Sequence, residues 1–82
     1  MALDVDVQGF FRLGEQLAQA HDDRNALRVF RRYTQLAPED AHGWANRAAV
    51  AARLGVLNEQ EPCLLRAIAL APNSPHYRVR LG

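Results

Sequence analysis

The tripeptide Leu36-Ala37-Pro38 recurs as Leu70-Ala71-Pro72, a shift of 34 residues. The same shift lays Gly9 on Gly43, Phe10 on Trp44, Ala18 on Ala52 and Arg32 on Arg66. Identity between the two copies is low. The matched positions, however, are small residues, apolar anchors and helix terminators, where structure constrains residue type most. A period of this length restricts the chain to a stack of supersecondary units, each burying its open apolar side against the next.

Each copy divides into two helical stretches. Val7 to about Ala20 carries Phe10, Leu13, Leu17 and Ala20 at spacings of three and four, which makes one apolar face. Asp4 or Asp6 is placed to cap its start. His21-Asp22-Asp23 reads as a turn, and either aspartate suits the start of the next helix. That helix carries Ala26, Leu27, Phe30, Tyr33 and Leu36–Ala37 on its inner side and ends at Pro38, which lacks an N–H and biases Ala37 away from helical geometry. Asp40 opens the second copy as an N-cap. Ala41 to about Leu54 is alanine-rich, with Trp44 as its one large anchor, and Gly55 suits the left-handed residue that closes a helix. Asn58 with Glu61 is expected to act as a capping-box start, with Pro62 and Cys63 in the first turn. Leu64, Leu65, Ala67, Ile68 and Leu70 are expected on the buried side of that helix. Ser74-Pro75 is a start signal for a short fifth helix running to Gly82. No period-2 apolar run is long enough for a strand. The expected fold is all-α: repeat one over 7–40, repeat two over 41–74 and a partial third repeat or capping helix over 75–82.

Composition fits this reading. Apolar residues make up 49% of the 82 residues, but aromatics only 7%, which favours thin helices packed closely. The formal net charge of +1 points to neither nucleic acid nor an anionic membrane. A single cysteine, Cys63, excludes an internal disulfide framework and fits a reducing compartment. The N-terminus lacks the basic and apolar regions of a signal peptide, and no stretch approaches the roughly 20 apolar residues of a membrane span. The expected localisation is cytoplasmic.

Taken residue by residue, the pattern resembles the tetratricopeptide repeat. Copy one supplies Phe10 at the family's tryptophan position, then Leu13-Gly14, Leu17, Ala26, Phe30 and Pro38; copy two supplies Trp44, Ala48, Gly55, Leu64, Ala67 and Pro72. Leu81-Gly82 falls where the Leu-Gly pair of a third copy belongs. The departures are Tyr33 in place of a small alanine, Arg47 for leucine, Ala51 for tyrosine and Gln60 for alanine. The resemblance implies antiparallel helix–turn–helix units stacked as a short superhelix. Gly14 and Ala48 would be small because helices cross there, with Phe10 and Trp44 filling the wedge beside the crossing.

The resemblance also implies a function: a non-catalytic scaffold whose first helices line a concave groove for a peptide or helix of a partner protein. By position that groove comprises Gln8, Phe11, Arg12, Glu15 and Gln19, then His42, Ala45, Asn46, Ala49 and Arg53, then His76 and Arg80. Phe11 offers an apolar contact and Asn46 can bond a peptide backbone in both directions. Arg12, Arg53 and Arg80 suit carboxylates, so an acidic partner is expected, and Arg53→Ala is expected to spare stability. The carboxylate clamp of some family members is matched only by Asn46 and Arg80: His76 stands where a lysine belongs, and Phe11 and Glu15 stand in place of its first-repeat pair.

Other readings are weaker. Arg24, Arg28, Arg31 and Arg32 make the second helix basic, but acidic neighbours argue against a nucleic-acid stripe. No histidine pair has helical ligand spacing, so no metal is expected. Cys63 near a helix start invites a lowered thiol pKa but has no histidine beside it in sequence. No nucleophile set or phosphate loop is present, and no catalytic residue or cofactor is expected. Two further possibilities follow from the incomplete third copy. The chain is then the N-terminal repeat segment of a larger bacterial enzyme, such as a transferase or hydroxylase, or it forms a homodimer through an apolar C-terminal face.

Overall fold

A computed structural model describes residues 6–74. These residues form four α-helices: α1 (Val7–Gln19), α2 (Asp23–Leu36), α3 (Ala41–Leu54) and α4 (Leu57–Leu70). No strand occurs among them. The fifth helix expected over 75–82 lies outside the described residues.

The 34-residue shift holds in the backbone as well as in the sequence. It carries Val7 onto Ala41, Asp23 onto Leu57 and Leu36 onto Leu70, so helix starts and second-helix ends superpose in phase. The turns repeat too. His21 at φ 63° and Gly55 at φ 76° hold the same left-handed position after the first helix of each copy. At both turns the next amide reaches back to satisfy a late helical carbonyl, Asp22 N–H to Leu17 and Val56 N–H to Ala51. Ala37 and Ala71 leave the second helices at φ −132° and −136°. The same tight turn follows each, closed by Asp40 N–H to Ala37 and by Ser74 N–H to Ala71, both at 3.1 Å.

Three of the four starts are capped by aspartate. Asp6 accepts from the Gly9 amide, Asp22 from Asn25 and Asp40 from His42. The fourth departs from expectation. Helix α4 begins at Leu57, with Val56 at the cap and no side-chain cap bond, so Asn58 and Glu61 form no capping box. After the left-handed Gly55 the Val56 carbonyl already accepts from Glu59 and Gln60, which starts the helix two residues early. Pro62 and Cys63 therefore lie past the first turn, and Pro62 leaves the Asn58 carbonyl without its usual helical donor.

Packing is sequential: α1 on α2, α2 on α3, α3 on α4, with no comparable contact between α1 and α3. One core cluster joins three helices through Ala26, Leu27, Phe30, Val50 and Ala51, with Leu17 and Val56 at its edge. The other lies between α3 and α4 around Ala45, Ala48, Cys63, Leu64 and Ala67, flanked by Trp44 and Ile68. A methyl group on Gly14 would sit 2.7 Å from the Phe30 ring, so glycine there is required by the close approach of α1 to α2. Gly43 serves the same purpose at the next junction, where an added Cβ would lie 2.6 Å from the Tyr33 ring. This pairing explains why a tyrosine stands at a position expected to be small: its bulk fills the space that Gly43 leaves.

Two apolar expectations are corrected. Leu13 is 44% exposed and Leu65 48% exposed, and Leu70 is also exposed, so these leucines do not belong to the buried faces assigned to them. The expected wedge role splits between the copies. Trp44 packs on the core and donates its Nε1–H to the Pro38 carbonyl at 2.9 Å. Phe10 is half-buried beside a surface hollow formed with Asp6, Gly9 and Leu13.

Candidate interaction groove

Because α1 and α3 both pack on α2 and hardly touch each other, a cleft opens between them. It has a volume of about 170 Å³. Its α1 wall carries Glu15, Ala18 and Gln19, its α3 wall carries Asn46, Ala49 and Arg53, and Val50 and Phe30 reach it from the core side. The structure thus brings together Glu15, Gln19, Asn46, Ala49 and Arg53, which repeat position assigns to one groove. A neighbouring hollow of about 310 Å³ continues past Arg53 and Ala49 to Ala52, Gln60 and Leu64. Three alanines, Ala48, Ala49 and Ala52, line that second hollow, whereas the floor of the first is Val50 and Phe30.

The remaining assigned residues are placed differently. The Phe11 ring is turned onto α2, edge-on to Phe30 at 5.9 Å and to Tyr33 at 5.1 Å between centroids. Arg12 pairs with Asp6 at 3.4 Å, with both side chains largely in solvent. Gln8 is exposed and lies near the Tyr33 hydroxyl. His42 is exposed, and its backbone amide donates to Asp40. Ala45 is buried in the α3–α4 core. His76 and Arg80 lie outside the described residues.

Arg53 is engaged from within. Its Nε lies 3.2 Å from both carboxylate oxygens of Asp23, and its Nη2 donates to Asp23 Oδ1 at 2.5 Å and approaches the Ala18 carbonyl at 3.4 Å. The guanidinium beside Asp23 holds that carboxyl below its ordinary range. One side chain of α3 therefore ties down the end of α1 and the start of α2, and fixes the end of the cleft.

Sequence reasoning misses the largest polar assembly. Glu59 receives a two-pronged contact from Arg31, at 2.9 and 2.6 Å, and a further bond from Arg47 Nε at 2.8 Å. Arg47 also donates to the Thr34 hydroxyl at 3.0 Å, and Thr34 is buried. The Arg31 guanidinium, then Arg47, hold the Glu59 carboxyl down to about 2 against the opposing effect of burial. The signal is the arginine at 47, where the repeat asks for leucine: such a cation must find a carboxylate, and Glu59 is the one that α4 supplies. Trp44 sits between two cations, with Arg47 at 5.3 Å and Arg66 at 5.4 Å from its ring centre. A second buried polar contact runs from the Tyr33 hydroxyl, which donates to Asp40. Burial, then that carboxylate, push the phenol up to about 12.

Cys63 is 4% exposed, and burial raises its thiol pKa, contrary to the lowering that a helix start suggests. Among the described residues no group of histidine, cysteine, aspartate and glutamate is arranged to hold a metal ion. No helix among them is long and apolar enough to cross a membrane. Arg24, Arg28, Arg31 and Arg32 are all exposed on α2, and of these Arg31 is engaged by Glu59. Neither a protein-family model nor a curated protein matches the chain.

Proposed function

We propose that the chain is a non-catalytic interaction module of the tetratricopeptide type, which binds a peptide or helix of a partner protein along the face formed by α1 and α3. The observation that carries this reading is the cleft itself. Two helices one repeat apart stand side by side on a common support and present Glu15, Gln19 and Asn46 over an apolar floor of Val50 and Phe30. No described side chain satisfies the Gln19 or Asn46 amides. Each offers both a donor and an acceptor, the complement of an extended backbone. The small Ala18 and Ala49 side chains on the walls let that backbone approach closely.

The in-phase turns support the same reading. Ser74 ends the second copy in the turn that Asp40 makes at the end of the first, so the unit is built to be repeated.

The test is a pulldown from the source organism with the intact chain as bait. Gln19→Ala combined with Asn46→Ala should release the partner while leaving the helical circular dichroism and melting transition in place. Arg28→Ala combined with Arg32→Ala, on exposed positions of α2, should not release it. Loss of partner only with the α2 pair would reject the groove.

A further inference from the structure

Three charges lie on or beside the cleft: Glu15, Arg53 and Asp23. Two of them cancel. Arg53 commits the Nε–Nη2 edge of its guanidinium to Asp23 and a further contact to the Ala18 carbonyl. A ligand carboxylate would have to share this guanidinium with an internal carboxylate already held at 2.5 to 3.2 Å, so its charge is matched before any ligand arrives. Arg12, a second cation assigned to this surface, is paired with Asp6. Glu15 differs: among the described residues it has no ion pair and no hydrogen bond, and it lines the cleft opposite Asn46 and Ala49. The net unmatched charge of the cleft is therefore one negative, the reverse of what the arginines in the sequence suggest.

We infer that the ligand of this cleft is an extended peptide segment carrying a lysine or arginine, its cation set over Glu15 and its backbone against Asn46 and Gln19. The inference rests on the groove reading above and adds the sign of the partner. Glu15 is exposed, so its contribution is modest. Pairs of this kind amount to about a 2–5-fold preference, weakened by salt. Arg53 acts as a positioning residue, holding the end of the cleft with its charge matched by Asp23.

The experiment uses three synthetic octapeptides with one alternating Ala-Ser backbone and Lys, Gln or Glu at two central positions. Each is titrated into the 82-residue chain labelled with nitrogen-15. The Lys peptide should shift the amides of Glu15 to Gln19 and Asn46 to Arg53, with an affinity about 2–5-fold above that of the Gln peptide. Glu15→Gln should erase that difference, and Glu15→Lys should turn the preference to the Glu peptide. If the shifts map to the cleft but the wild type prefers the Glu peptide, or if the Lys preference survives Glu15→Gln, the charge assignment is overturned and the groove stands. If none of the three peptides shifts cleft amides at millimolar concentration, the groove reading fails and takes the charge assignment with it.

Discussion

His21 and Gly55 occupy one backbone position in two copies, and only one of them is glycine. An L-residue at φ 63° carries a steric cost that glycine escapes. His21→Gly should therefore stabilise the chain by roughly 0.5–1 kcal/mol, read as a higher denaturant midpoint with an unchanged slope. Tyr33 and Gly43 make a second residue-scale case, because each is tolerated on account of the other. Gly43→Ala would force a methyl against the Tyr33 ring and should cost about 1–3 kcal/mol, although alanine is the better helix former. Tyr33→Phe keeps the ring and loses the bond to Asp40, at about 1 kcal/mol. The raised phenol pKa adds a pH signature. In the folded chain Tyr33 keeps its proton up to about 12 against an ordinary value of 10.0, so its contribution is complete below pH 10 and fades as pH climbs from 10 towards 12. Across that window wild type should lose its advantage over Tyr33→Phe in thermal melts and then fall below it, because burial disfavours the phenolate in the folded chain. Melts that stay parallel would mean that the hydroxyl is not held as described.

At the scale of elements, most of the fold is legible in the sequence and the polar ties are not. Helix boundaries follow from local signals that compete with little else: Asp6, Asp22 and Asp40 at starts, Pro38 and Pro72 after ends, Gly55 at a turn. The start of α4 escapes that reading because a composition cue, Asn58 with Glu61, is outweighed by the geometry of the preceding turn. Leu65 and Leu13 escape it for a different reason, since periodicity places a residue on a face but does not say whether a neighbouring helix covers it. The Arg31–Glu59–Arg47 cluster joins α2, α3 and α4 across sequence separations of 28 and 12, which no local rule reaches. Glu59→Gln should cost about 2 kcal/mol once solvent screening of the half-exposed Arg31 is allowed for. The folded carboxyl titrates near 2 against an ordinary 4.5, so its stabilisation is complete above pH 4.5 and is lost as pH falls towards 2. Wild type and Glu59→Gln should accordingly differ in acid unfolding and meet at its low end. Arg53→Ala, expected from sequence to be silent, should instead lower the midpoint measurably because Asp23 and the end of α1 lose their tie.

For the molecule as a whole, five of the side chains assigned to a groove by repeat position line one cleft, and the reason is architectural. A 34-residue shift that superposes helix starts also sets equivalent faces of α1 and α3 side by side on α2. What the repeat does not convey is which of those side chains are free to meet a partner. Phe11 is drawn inward by two aromatic rings and Arg53 by Asp23, both contacts made only once the chain has folded. The central claim, that a partner lies along the α1–α3 face, is tested most directly by hydrogen–deuterium exchange of the chain with and without the partner recovered in the pulldown. The account expects new protection confined to the later turns of α1 and α3, around Glu15–Gln19 and Asn46–Arg53, with the exposed arginine face of α2 unchanged. Protection centred on Arg24–Arg32, with α1 and α3 exchanging as in the free chain, would contradict it.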